Sequence, residues 1–293
     1  MRSDFVALIL THGRPDRVHT YYALKKAGYT GRILIVIDNE DKTAQEYKNR
    51  YGEDVVMFDK KAIAQTFDEG DNFQDRRAII YARNASFQIA KDHGYRYFVQ
   101  LDDDYTGFYY RFDQDGFYGN GKIQSLDWLF SAMADYLTAT PFASIAISQG
   151  GDHIGGGNGT SHYVKAVKGI RKAMNSFVCD TEKPFQFVGR INEDVNTYTC
   201  KQRNGLPFFT ILAAQLIQKT TQSNAGGMTD LYLDSGTYVK TFYSVMYAPS
   251  CVKVSDLSSP QKGSEGHARI HHKVTWNNAA PLILSEHHKK AEQ

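Results

Sequence analysis

Four short apolar runs, each closing on a polar turn, divide the first hundred residues: Phe5 to Thr11, Arg32 to Asp38, Val55 to Phe58 and Tyr97 to Leu101. Runs of this length, bounded by Gly, Pro or Asp, read as buried strands. Helix-spaced apolar residues lie between them. Val18, Tyr21, Tyr22 and Leu24 follow Asp16, an N-cap candidate, and stop at Gly28; Thr43 to Tyr51 forms a second helix; a longer one runs from about Asp75 to His93 and ends at Gly94. This alternation predicts an α/β fold with a mostly parallel sheet flanked by helices. Ligands of such sheets gather outside the carboxyl ends of the strands. Thr11 to Arg14, Asp38 and the triplet Asp102, Asp103 and Asp104 are therefore expected to line one crevice.

Past the triplet the pattern loosens. An aromatic and glycine-rich stretch from Tyr105 to Gly121 precedes a helix near Leu126 to Ala139 and a strand from Ser144 to Ser148. The glycines from Gly150 to Gly159 mark a loop rather than a P-loop, because no Gly-Lys-Ser/Thr follows. Phe185 to Gly189 reads as extended, and Asn192, Glu193 and Asp194 open a short helix. Pro207 to Lys219 and Leu231 to Tyr247 read as further strands, or as a helix and strands. Ser255 to Gly266 is expected to be a mobile loop able to close as a lid, and the tail from His287 to Gln293 to be solvated.

With 42% hydrophobic and 23% charged residues the 293-residue chain has material for a core, and one elaborated domain is expected. No apolar run approaches the roughly 20 residues that span a bilayer, so a cytoplasmic location without membrane contact is expected. Three widely spaced cysteines, Cys179, Cys200 and Cys251, form no Cys-x-x-Cys pair and are expected to be reduced. Up to Gly159 there are 18 basic and 22 acidic residues, then 16 and 10, so the second part carries +6 against −4. A basic second half suits a polyanionic partner, and equally an ordinary solvated surface.

Carboxylate oxygens at a strand end can hold a hard divalent cation, which would neutralise a departing diphosphate. In an extended segment Asp102 and Asp104 point to one side and Asp103 to the other, so the first and third can share a ligand. Glu193 and Asp194 suit a helix N-terminus by capping and dipole alone, yet either can also serve as a general base toward a hydroxyl. His271 and His272 are ambiguous: a neutral imidazole can complete a metal site, while strand histidines are often structural. Lys165, Lys168, Arg171 and Lys172 place four bases within eight residues, which suits nucleic-acid backbone contact. Tyr238, Phe242, Tyr243 and Tyr247 could stack on a base or belong to the core.

The run Ala82-Arg83-Asn84-Ala85, then Gly94 to Leu101 and the aspartates, resembles the donor-site core of GT-A glycosyltransferases, which have a Rossmann-like sheet. That resemblance implies that residues 1–110 bind the nucleotide sugar and 111–293 the acceptor. It further implies that Thr11, Arg14, Asp38, Arg83, Asp102 and Asp103 serve the donor nucleotide. Asp102 and Asp104, with His271 or His272, would hold Mn²⁺ or Mg²⁺. Asp194, or else Glu193, would be the base of an inverting reaction; in a retaining one this acid would be structural or acceptor-binding. QGGDHIGG at 149–156, RINEDVNTY at 190–198, TQSNAGG at 221–227 and GTYVKTFYSVMYAPSCVKV at 236–254 are similar to TET-associated glycosyltransferases, a family encoded largely by bacteriophages. The implied reaction moves a sugar from a UDP-sugar to 5-hydroxymethylcytosine in DNA, in the cytoplasm of an infected bacterium. Two competing readings are a GT-A enzyme with a saccharide, lipid or protein acceptor, and a non-catalytic nucleic-acid-binding protein on the same fold. The sugar and the oligomeric state are not legible.

Overall fold

The structure is a computed structural model that describes residues 1–71, 76–153, 172–218, 238–257 and 269–280. The first strands are β1 (Phe5–Leu10), β2 (Arg32–Asp38), β3 (Val55–Phe58) and β4 (Tyr97–Asp102). Between them lie α1 (His19–Lys26), α2 (Ala44–Tyr51), α3 (Lys60–Ala64) and α4 (Ile80–Asp92). The hairpin β5 (Tyr105–Phe112) and β6 (Tyr118–Lys122) follows, then α5 (Leu126–Ala139), β7 (Ser144–Ser148) and β8 (Ser176–Asp180). The chain continues through α6 (Glu193–Arg203), β9 (Phe208–Gln218), α7 (Val239–Tyr247), β10 (Val252–Leu257), β11 (Arg269–Val274) and α8 (Trp276–Ala279).

Among the described residues β1 to β9 make one sheet in the order β3-β2-β1-β4-β8-β7-β9-β5-β6, and β10 and β11 pair separately. The expected parallel sheet holds for the first half, where β3, β2, β1 and β4 run in parallel. Beyond β4 the sheet is mixed: β8 is antiparallel to both β4 and β7, and β5 to both β9 and β6. All six residues of β1 are buried because both sheet faces are covered. Phe5, Ala7 and Ile9 pack with Phe130 and Leu137 of α5, while Val6, Leu8 and Leu10 pack with Ile80, Ala85 and Ile89 of α4.

Two expectations shift. α1 starts at His19 rather than at Asp16, because Arg14 to Arg17 form a turn (Arg17 N to Arg14 O, 3.0 Å) that the site holds in place. Val239–Tyr247, left open between helix and strand, is a helix: Thr241, Ser244 and Ala248 face inward, and Phe242 and Met246 face out. No helix among the described residues is long and apolar enough to cross a membrane.

Candidate functional site

Register places the site. Leu10 of β1 lies opposite Val36 of β2 and Asp102 of β4, so Thr11, Asp38 and Asp103 emerge at nearly the same level. Thr11 donates to Asp103 Oδ2 at 2.7 Å, and Tyr47 of α2 donates to the Thr11 hydroxyl at 2.8 Å. The Tyr47 oxygen also accepts the Arg14 amide at 2.9 Å, and the Arg14 guanidinium lies 3.2 Å from Asp103. Asp103 is 2% exposed and thus anchors the first loop from within. Asp38 receives His12 Nδ1 at 2.7 Å and Lys60 at 3.4 Å. Burial pushes its carboxyl up, but the His12 hydrogen bond and the Lys60 charge outweigh this and hold it below the usual range. Asp41 accepts the Gly13 amide at 2.8 Å and closes the loop.

The triplet turn is pinned by Thr20, which donates to Asp102 O at 2.5 Å and accepts the Tyr105 amide at 3.0 Å. β4 ends at Asp102, so Asp103 and Asp104 stand in a turn rather than in the extended run expected, and each aspartate has a separate partner. Asp102 Oδ1 accepts Arg83 Nη2 at 3.1 Å, Asp103 turns to Thr11 and Arg14, and Asp104 accepts Gln218 Nε2 of β9 at 3.2 Å. Burial, opposed by Arg83 but reinforced by Asp104, Glu193 and Asp103, pushes Asp102 up to about 7. Asp104 Oδ1 is buried without a hydrogen-bond partner.

The second acidic motif meets this turn through Arg83. That residue is 1% exposed; its Nε donates to Glu193 Oε1 at 2.9 Å while Nη2 holds Asp102. Arg83 thus bridges the two acidic groups. Asn192, at the N-cap of α6, is in the left-handed region at φ 62° and donates to Ser244 of α7 at 2.7 Å. Its turn leaves Glu193 facing Arg83 and Asp194 hydrogen-bonded at 2.7 Å to the adjoining Val195 amide. Burial, with the Glu193 charge beside it, pushes Asp194 up to about 6.

The histidines lie on β11, and the structure does not gather them with the aspartates. No three carboxylate, imidazole or thiol groups among the described residues are placed to hold a metal, so the expected histidine ligand is not assembled here. The charged neighbours acting on His272 are His271, Lys240 and Lys172; burial first, and then these, push it down to about 4. Lys172, expected on phosphate, pairs with Asp152 at 3.3 Å. Lys165, Lys168 and Arg171 lie outside the described residues, as do 258–266 of the expected lid, whose first residues belong to β10. Of the stacking candidates, Tyr243 donates to Asp71 and Tyr247 to Asp68 O, whereas Tyr238 and Phe242 are exposed.

Tyr47, Asp41, Thr20, Lys60, Gln218, Asp152 and Lys240 were not singled out from the sequence. Tyr47 and Thr20 sit within ordinary amphipathic helices, and their partners are remote in the chain.

A parallel half-sheet whose strand ends converge on carboxylates thus stands opposite a second acid pair at a helix N-terminus. The chain belongs to the TET-associated glycosyltransferase family, whose model matches residues 5–227. No curated protein matches it. Similar solved structures include glucosyl-3-phosphoglycerate synthase from Mycobacterium tuberculosis with Mg²⁺ and UDP, at 10% identity and a TM-score of 0.45, covering 92% of this chain and 87% of that one. The same enzyme with Mn²⁺, UDP and glucosyl-3-phosphoglycerate gives 9% identity, the same coverages and a TM-score of 0.45. A further mycobacterial protein gives 10%, 92% and 83% coverage, and 0.44.

Proposed function

We propose that this glycosyltransferase moves a sugar from a UDP-sugar to the hydroxymethyl group of 5-hydroxymethylcytosine in DNA, with inversion and with a divalent cation. The observation that carries the mechanism is the approach of the acid pair Glu193 and Asp194 to the triplet turn, across Arg83. Family membership supports the sugar transfer, and the resemblance within that family supports the DNA acceptor.

Two of the three aspartates suit a hard cation. Asp102 and Asp104 offer oxygen donors, Asp104 Oδ1 is buried and unpartnered, and the crowding of carboxylates is what a divalent charge would relieve. Mn²⁺ or Mg²⁺ held by Asp102 and Asp104 would offset the charge that develops on the departing diphosphate. Thr11, Arg14 and Asp38 line the crevice proposed for the nucleotide. Asp194 accepts the proton of the acceptor hydroxyl; the oxygen forms its bond to the anomeric carbon as the bond to UDP breaks and the electron pair leaves with the diphosphate oxygen. Glu193 is less suited to this task, since it is paired with Arg83.

Mass spectrometry of nucleosides from 5-hydroxymethylcytosine DNA, incubated with the protein, Mn²⁺ and a panel of UDP-sugars, tests the reading. A hexose or N-acetylhexosamine added to that nucleoside is expected. UDP release without addition would discard the acceptor and keep the donor.

A further inference from the structure

We propose that Arg83 is a positioning residue that ties the donor-side carboxylate Asp102 to the acceptor-side acid pair, so that Asp194 is aligned for transfer only while both ends are held. This rests on the reading of Asp194 as the base. One planar guanidinium makes both contacts from different nitrogens, 2.9 Å to Glu193 and 3.1 Å to Asp102, and thereby fixes their separation and direction together. A lysine ammonium is a single point charge and cannot reproduce that fork.

The arginine is itself held on every side. Its guanidinium carbon lies 5.1 Å from the Phe177 ring centroid and 5.8 Å from that of Phe187, and its carbonyl accepts Gln100 Nε2 of β4 at 2.8 Å. It stands on α4, in the first half of the chain, and reaches a residue 110 positions later. Replacing an enclosed ion-pair triad with apolar residues is often neutral or stabilising, so stability alone is a weak reason for one. Nη1 is also buried without a partner, a further cost that packing alone would not require. Fixing the register between two functional groups is the use that accounts for the triad. Asp194 adjoins Glu193 at the first turn of α6, so any tilt of that turn moves the base.

The test compares two rates in the full-length protein with Mn²⁺: transfer to 5-hydroxymethylcytosine DNA, and UDP release by hydrolysis without acceptor. Arg83→Lys is expected to lower the transfer kcat by about 100-fold, the order of loss that follows from misplacing a reacting group by an ångström. Hydrolysis is expected to fall as well, because Arg83 also holds Asp102 on the donor side, but by no more than about tenfold and so by clearly less than transfer. Glu193→Gln keeps an oxygen toward Arg83 Nε but loses the charge, and is expected to lose transfer by less than Arg83→Lys does. Parallel loss of transfer and hydrolysis in Arg83→Lys, or no loss of either, would overturn the proposal.

If the wild type transfers nothing to DNA, the functional reading fails, and the tie is judged by unfolding alone. Asp102→Asn and Glu193→Gln should then be non-additive with Arg83 present and additive in Arg83→Lys. Additivity in both backgrounds would refute the tie itself.

Discussion

Asp194, the proposed base, carries opposite demands: a base must ionise, yet the surroundings of this carboxyl favour its neutral form. With its folded pKa raised to about 6 above the ordinary 3.8, the native state binds more protons than the unfolded state between those values. Its favourable contribution is complete below pH 4 and is lost as pH rises through 6. Asp194→Asn should therefore match wild-type stability at pH 4 and exceed it by about 1–3 kcal/mol at pH 8, while transfer falls roughly 10² to 10⁴-fold. Chemical denaturation at the two pH values checks this; a variant less stable at pH 8 would contradict the burial argument. Asp104 makes a complementary case. Mn²⁺ should raise the melting temperature of the wild type but not that of Asp104→Asn, as scanning calorimetry with and without EDTA would show. The acids of this site were legible because they stand at strand and helix ends. Their partners were not: Tyr47, within AQEYKNRY, looks like any buried helix residue until the fold sets it beside Thr11 and Arg14.

At the scale of elements, the strand-and-helix alternation up to β4 could be read because β1, β2 and β4 are buried on both faces and so are almost continuously apolar, while the edge strand β3 is apolar though only partly buried. α7 resisted for the opposite reason. Its inner face is mixed, with Thr241, Tyr243 and Ser244, while Tyr238, Phe242 and Met246 are about half exposed, which blurs the usual hydropathy signal. The contact that seats α7 depends on Gly189. Its φ is +78°, and a Cβ there would lie 2.3 Å from Asn196 Nδ2 and 2.6 Å from the Tyr247 ring. Gly189→Ala is accordingly expected to cost about 2–4 kcal/mol, measured by urea unfolding. It should also weaken transfer, because Asn196, Ser244 and Asn192 form one hydrogen-bonded chain to the turn carrying Asp194. A loss below 1 kcal/mol would mean that α7 can slide away without strain. The hairpin β5–β6 escaped notice because YGNGK in β6 has low strand propensity and is recruited by pairing with β5.

For the whole molecule, the charge asymmetry read from the sequence has a measurable counterpart in binding. If the basic second part meets DNA, affinity should fall steeply as salt rises from 50 to 200 mM, whereas UDP-sugar affinity should change far less. Fluorescence anisotropy with labelled duplex checks the first, and equal salt slopes for both ligands would argue against a polynucleotide partner. The parallel course of the first four strands was open to sequence reasoning, since strands joined through helices pair in parallel. The placement of β8 between β4 and β7 was not, because antiparallel insertion depends on long-range register that no local pattern encodes.

β4 is hydrogen-bonded to β1 on one side and to β8 on the other. Its amides should be among the last to exchange with deuterium, opening only when the molecule unfolds as a whole. The triplet at its end therefore sits on the least yielding part of the protein, whereas α7 lies outside the sheet. If the triplet grips the donor as proposed, and α7 borders the acceptor, such a division would over evolutionary time let the first stay constant while the second is rebuilt, and relatives with new acceptors should differ around α7 before they differ at β4.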